Sequence, residues 1–137
     1  MFDRIVVAVD GSACGARAVE TAGDLAALSG GEVVVAHLAE TIAMWGAVVD
    51  NETPEEAIDL ADDAVRKLKD RGVSARSEVR TCFRGGVSRA IVTIGRDEDA
   101  DIIVMGSRGH GEVIELLLGS VAHRVVHLAN VPVLIVR

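Results

Sequence analysis

A glycine-rich segment near the C-terminus has the residue types and spacing of an anion site. Two residues separate Gly106 from Gly109, and nine more lead to Gly119 and Ser120. The segment follows an apolar run over residues 102–105 and precedes a helical pattern, where Ser120 can cap the helix or bond a phosphate oxygen. Glycines between a strand and a helix let backbone N–H groups approach a ligand, and the helix N-terminus adds partial positive charge. The spacing therefore favours phosphate binding, and nucleotide binding is the leading hypothesis.

The elements that must position this segment alternate between strand and helix. Apolar runs predict strands at residues 4–9, 32–38, 73–80, 101–105 and 131–136. Helical periodicity and capping residues predict helices at residues 13–28, 53–70, 87–96 and 120–129. This order predicts one α/β domain over residues 1–137, with a five-stranded parallel sheet covered by helices on both faces.

The segment between the second strand and the second helix, residues 39–52, shows no clear period. We predict a loop or irregular helix there. Its apolar residues Met44, Trp45, Val48 and Val49 are expected to pack against the sheet, with a lid over the site or a subunit contact as alternatives.

A second polar residue, Asp10, ends the first strand, whereas Gly106 follows the fourth. In open parallel sheets, ligands bind at the carboxyl ends of strands where the strand order reverses. If these two strands are neighbours with helices on opposite faces, Asp10 and Gly106 share one crevice. Ser12 is expected to cap the first helix.

Composition restricts the classes of partner. The net charge of -7 and pI near 5.0 argue against non-specific binding to nucleic acid. No apolar run approaches the length of a membrane span, and no signal peptide precedes the first strand, so we expect a cytoplasmic protein. Cys14 and Cys82 show neither metal spacing nor a disulfide framework.

Three histidines lie in predicted strands or helices. His123 and His127 are four residues apart on a predicted helix, so they share a face, but no third metal ligand is evident nearby. We interpret them as surface or interface residues. His37 lies in an apolar strand and is interpreted as a hydrogen-bonded core histidine close to the site.

Three blocks of the chain resemble the universal stress protein family. They are Ile-Val-Val-Ala-Val-Asp-Gly-Ser at residues 5–12, Ala-Asp-Ile-Ile-Val-Met-Gly-Ser-Arg-Gly at 100–109, and Leu-Leu-Leu-Gly-Ser-Val-Ala at 116–122. The last block continues into Ala-Asn-Val-Pro-Val-Leu-Ile-Val at 129–136. The spacing of the glycines resembles that of the ATP-binding branch of the family.

The resemblance implies a strand order of 3-2-1-4-5 and an ATP molecule lying across the first and fourth strands, with Mg²⁺ on its phosphates. It implies that Asp10 bonds the ribose and that Ala8 and Leu38 border the adenine. The residues expected around the ribose and phosphates are Met105, Gly106, Gly109, Gly119, Ser120 and Val121. It also implies a homodimer through the C-terminal strand, which would otherwise be an exposed apolar edge.

Several functional alternatives stay open. The chain lacks the GxxxxGK[ST] phosphate loop, so hydrolysis by an ATPase would be slow, with Glu112 or Glu115 as the candidate base. A dinucleotide binder would need GxGxxG after the first strand, which is absent. AMP, ADP or cyclic AMP can replace ATP as the preferred ligand. A dimeric interaction module with an empty pocket is the last alternative. No catalytic residue is assigned.

Overall fold

The computed structural model describes residues 1–109 and 118–137. The strands are β1 (Arg4–Val9), β2 (Glu32–Met44), β3 (Ala47–Asp50), β4 (Ser74–Phe83), β5 (Ile102–Gly106) and β6 (Val133–Val136). The helices are α1 (Ala13–Ser29), α2 (Pro54–Asp70), α3 (Val87–Asp97) and α4 (Ser120–Leu128). Glu112 and Glu115, the candidate bases, lie outside the described residues.

Five of the strands form a parallel sheet in the order β4-β2-β1-β5-β6. Counted along the predicted strands, this is the order 3-2-1-4-5 that the family resemblance implies, and the predicted fold class is confirmed. β1 lies at the centre, where Val7 pairs with Val35 on one side and Val104 on the other. Because helices cover both faces, the central strands are apolar at nearly every position.

The prediction for residues 39–52 is wrong. β2 continues to Met44, and the chain turns back through Trp45 and Gly46 into β3, which pairs antiparallel with the outer part of β2. The sheet therefore has six strands rather than five. Both turn residues have positive φ, 52° and 77°, as a tight two-residue hairpin requires. The apolar residues of this hairpin do not pack against the sheet: Trp45 is 99% exposed, and Val48 is also exposed.

The core has two layers that follow the alternation of side chains along the strands. Ile5, Val7 and Val9 face α1 and α2, whereas Val6 faces α3 and α4. The buried side chains of both layers are almost entirely aliphatic. This alternation places α1 and α4 on opposite faces of the sheet, as a crevice between β1 and β5 requires.

Local signals set the helix boundaries. Ser12 caps α1 by accepting a hydrogen bond from Gly15 N at 3.1 Å, as predicted, and Gly30 ends the helix with φ 75°. Thr53 and Glu56 form a reciprocal capping box at the start of α2. In the part of the chain that the structure describes, no helix is both long enough and apolar enough to cross a bilayer.

Candidate functional site

A cavity of about 780 Å³ opens at the carboxyl ends of β1 and β5. Its volume is within the range of small-molecule sites, about 300–1,000 Å³. Every site residue named from the sequence lines it: Ala8, Asp10, Leu38, Met105, Gly106, Gly109, Gly119, Ser120 and Val121. The predicted juxtaposition of Asp10 with the glycine segment is therefore present.

Asp10 lies at the junction of the first strand and the glycine loop. Its Oδ1 accepts a hydrogen bond of 2.9 Å from the backbone N–H of Ser12, which orients the carboxylate. A Cβ at Gly109 would lie only 2.5 Å from Asp10 Oδ2. The loop after β5 therefore passes directly over the Asp10 carboxylate, and glycine at position 109 allows this approach.

Gly106 is required for another reason. A Cβ there would lie 2.7 Å from Cys14 Cβ and 2.9 Å from the Cys14 carbonyl carbon. The first turn of α1 thus packs directly against the end of β5. Cys14 is buried in this contact.

The N-terminus of α4 faces the same cavity. Gly119 occupies the N-cap position, so the alternative that Ser120 caps the helix is wrong: Ser120 is the first helical residue. The N–H of Gly119 donates to Ser107 O at 2.6 Å, which ties the helix start to the loop after β5. N–H groups in a first helical turn have no partner within the helix and carry partial positive charge, so this end of the cavity suits an anion.

The other end of the cavity is apolar. Ala8, Leu38 and Met105 lie there with Val87 and Ile91 of α3. The two α3 residues were not named from the sequence. Gly85 and Gly86, which introduce α3 beside the end of a parallel strand, were the available signal.

The β2–β3 hairpin contributes a third side, which the sequence did not predict. This side contains Glu40, Ile42, Asn51 and Glu52, with Arg84 after β4. Most of these residues follow from the extension of β2 and its return through β3. The sequence does not predict these cavity residues, because residues 39–52 lack a pattern that identifies a hairpin.

His37 connects this third side to the sheet. It is only 4% exposed, its Nδ1 lies 2.8 Å from Val9 O, and its Nε2 lies 2.7 Å from Glu52 Oε1. The prediction of a hydrogen-bonded core histidine near the site is confirmed. Its partner Glu52 was not foreseen.

Cys82 of β4 and the two histidines of α4 carry side chains that can react or bind metal. Burial raises the pKa of the Cys82 thiol, and the Glu40 carboxylate raises it further, so the thiolate is disfavoured. The rings of His123 and His127 have centroids 4.6 Å apart on an exposed part of α4. Within residues 1–109 and 118–137, no group of three or more His, Cys, Asp or Glu side chains is arranged to hold a metal ion.

The family assignment follows from comparison with known proteins. The model of the universal stress protein family matches the chain over residues 1–137. The chain belongs to the universal stress protein family. Universal stress protein YxiE of Bacillus subtilis is 31% identical over the full length of both chains. A universal stress protein of Thermus aquaticus is 33% identical, also over the full length of both.

Solved universal stress proteins share the fold. MJ0577 superimposes with a TM-score of 0.83 at 26% identity, covering 99% of this chain and 96% of that one. The universal stress protein of Archaeoglobus fulgidus in complex with dAMP has a TM-score of 0.71 at 28% identity, covering 99% and 98% of the chains. Another universal stress protein, in complex with cAMP, has a TM-score of 0.72 at 28% identity, covering 99% and 97%.

Proposed function

We propose that this universal stress protein binds ATP, with Mg²⁺ on the phosphates, and acts as a nucleotide-dependent stress-response or signalling module rather than as a fast enzyme. The observation that carries the proposal is a single cavity that joins an apolar end, the Asp10 carboxylate and the N-terminus of α4. Relatives of the same fold bind the adenine nucleotides dAMP and cAMP, which supports an adenine nucleotide here as well.

The residues of the cavity fit the three parts of an adenine nucleotide in order. The adenine lies against Ala8 and Leu38, and the ribose hydroxyls donate to Asp10, since a carboxylate can accept both. Next to the ribose and phosphates are Met105, Gly106, Gly109, Gly119, Ser120 and Val121. The helix N-terminus stabilises the negative charge in that part of the cavity.

Mg²⁺ is proposed to bind together with the phosphates of ATP. Mg²⁺ prefers oxygen ligands and commonly binds through substrate phosphates and water with few protein ligands. It would partly neutralise phosphate charge in a protein whose net charge is -7. No protein ligand is assigned to it.

The first test identifies the nucleotide. Protein purified without added nucleotide is denatured, and the supernatant is analysed by ion-pair chromatography and mass spectrometry. ATP·Mg²⁺, AMP and cAMP are then titrated into stripped wild type and into Gly109→Asp, which adds a second acidic group beside Asp10. We expect ATP to bind wild type and the variant to lose that binding. A folded wild type that binds none of the three nucleotides contradicts the proposal. If wild type binds AMP or cAMP more tightly than ATP, the ligand is a monophosphate instead of ATP.

A second test addresses turnover. Steady-state release of phosphate from ATP should be absent or slow, since the chain lacks the GxxxxGK[ST] phosphate loop. Release at ordinary enzymatic rates, several per second or faster, would make the protein an ATPase instead.

We further propose a homodimer through the C-terminal strand. β6 pairs with β5 on one side, and its residues Val133–Val136 are apolar and only partly buried. Pairing of this edge with a second copy would cover it. Sedimentation equilibrium at micromolar concentrations should give a dimer mass, and a monomer mass would contradict the proposal.

A further inference from the structure

The hydrogen bonds of His37 require one proton more than a neutral imidazole beside a carboxylate can supply. Val9 O only accepts hydrogen bonds, so His37 Nδ1, 2.8 Å away, carries a proton. Nε2 lies 2.7 Å from Glu52 Oε1, and two acceptors at that distance must share a proton. The shared proton makes this a charge-assisted contact between an imidazole and a carboxyl group.

The contact is largely shielded from solvent. The side chain of His37 is 5% exposed and that of Glu52 is 20% exposed, so water competes poorly for either group. The other charged groups of the cavity are Asp10 at the end of β1, Glu40 on β2, and Arg84 and Arg108 in loops. In the first turn of α2 the charged groups are Glu55 and Glu56.

Glu52 lies in the connection between β3 and α2. On one side, Asn51 N donates to Glu40 O at 3.1 Å and continues the β2–β3 ladder. On the other side, Thr53 caps α2. The hydrogen bond between His37 and Glu52 therefore attaches the middle of the connection to β2, the strand that contains His37. Asn51 and Glu52 both line the cavity, so the position of the connection sets the shape of one wall.

We propose that His37 and Glu52 form a proton-dependent clasp that holds the connection between β3 and α2 against the cavity. Loss of the shared proton at higher pH leaves Nε2 and the carboxylate as two facing acceptors, so the contact opens. At low pH, protonation of the carboxylate weakens the charge pairing as well. The clasp is therefore strongest between these limits, and both residues act as positioning residues for the cavity wall.

The direct test uses protein without nucleotide. Nitrogen and proton NMR of the imidazole, followed over a range of pH, should show both ring nitrogens of His37 protonated on the low-pH side of its titration. Amide exchange of Asn51 and Thr53, corrected for the intrinsic pH dependence, should become less protected as His37 loses its proton. A His37 ring that carries a single proton throughout, or equal protection on both sides of its titration, would overturn the clasp.

Glu52→Gln separates the proton from the contact. An amide N–H can donate to a neutral Nε2, so the side chain still reaches His37 without a shared proton. Protection of Asn51 and Thr53 should then be independent of pH in this variant. Glu55→Gln removes the same charge three residues away and should keep the wild-type pH dependence. The same pH dependence in Glu52→Gln as in wild type would contradict the proposal.

The consequence for ligand retention rests on the proposed nucleotide function. The dissociation rate of a fluorescent ATP analogue should rise about tenfold from about pH 6 to about pH 9 in wild type, equivalent to about 1.4 kcal/mol, and change little in Glu52→Gln. If no nucleotide binds but the NMR and exchange results hold, the proposed function fails and the clasp stands. If nucleotide binds and its dissociation rate is independent of pH, the clasp does not control the cavity.

Discussion

Two glycines of the same loop are glycines for different physical reasons. At Gly106 the neighbouring atoms belong to the Cβ and backbone of Cys14, which cannot move without shifting α1. At Gly109 the neighbouring atom is Oδ2 of Asp10, at the end of a side chain that can rotate away. The same substitution should therefore affect stability at one position and ligand binding at the other.

Gly106→Ala should destabilise the fold. Overpacking of this kind typically costs about 1–3 kcal/mol, because the backbone must shift to admit the new methyl group. Urea denaturation followed by circular dichroism measures the change in the free energy of unfolding. An unchanged midpoint would show that α1 moves away from β5 without cost.

Gly109→Ala should weaken nucleotide binding with little loss of stability. The new methyl group displaces the Asp10 carboxylate, and a lost hydrogen bond to a charged group corresponds to about 1.5–3 kcal/mol, or roughly tenfold or more in affinity. Titration calorimetry with ATP·Mg²⁺ measures the affinity, and Gly106→Ala serves as the comparison for stability. If Gly109→Ala binds ATP·Mg²⁺ with wild-type affinity, Asp10 does not bind the ribose.

Among the elements, the β2–β3 hairpin departs most from its sequence pattern. Asn-Gly and Asp-Gly are the usual residue pairs for its kind of turn, and Trp45-Gly46 is not among them. Trp45 adopts φ 52° although its side chain is 99% exposed, so no packing against the described residues offsets the cost of that conformation.

Trp45→Asn should therefore preserve or raise stability. Asparagine tolerates positive φ better than tryptophan and forms the favoured pair with Gly46. We expect a small increase in melting temperature by calorimetry. A marked decrease would mean that the indole contributes to stability through contacts with a second copy, and repeating the scan at several protein concentrations would test that explanation.

The capping box of α2 is the second element with a clear energetic role. Thr53→Ala should cost about 1 kcal/mol, because the backbone N–H of Glu56 loses its acceptor. The matched control is Thr21→Ala within α1, where alanine favours the helix and little loss is expected. Urea denaturation of both variants measures the difference. Equal stability of the two would show that the capping box contributes nothing measurable.

At the scale of the whole molecule, a network of ion pairs joins several elements at the end of the sheet opposite the cavity. Arg4 of β1 and Arg76 of β4 both contact Glu32 of β2 and Glu98 at the end of α3. The hydrogen bond from Arg76 holds the pKa of Glu98 below its ordinary value of 4.5, with the charges of Arg76 and Arg4 adding to the effect against partial burial. The side chain of Glu98 is 13% exposed, whereas those of Arg4 and Arg76 are 39% and 40% exposed, so solvent screens the outer part of the network.

Glu98→Gln should therefore destabilise the protein at neutral pH, by about 1–3 kcal/mol. A carboxyl whose pKa is lowered by folding stabilises the protein above its unfolded pKa, and this contribution is lost as pH falls through the lower folded value. The difference between wild type and variant should thus persist above pH 4.5 and shrink below it. Urea denaturation at several pH values measures this, with the exposed Glu20→Gln as control. A difference that does not change with pH would contradict the role of ionised Glu98.

Prediction from the sequence succeeded where neighbouring residues determine structure. Thr53, Pro54 and Glu56 act within one helical turn, so the start of α2 was predictable. The alternation of strands and helices likewise predicted the parallel sheet, because helical crossovers are needed to join parallel strands. The order of those strands came from family resemblance rather than from periodicity.

Sequence by itself thus determined the fold class and the grouping of Asp10 with the glycine loop, because the ends of neighbouring parallel strands meet at one edge of the sheet. Only the tertiary structure decided what surrounds them. The packing of Cys14 on Gly106 joins residues 92 positions apart, and the contact between His37 and Glu52 joins residues 15 positions apart. Such contacts depend on three-dimensional distances, which local composition and periodicity do not encode.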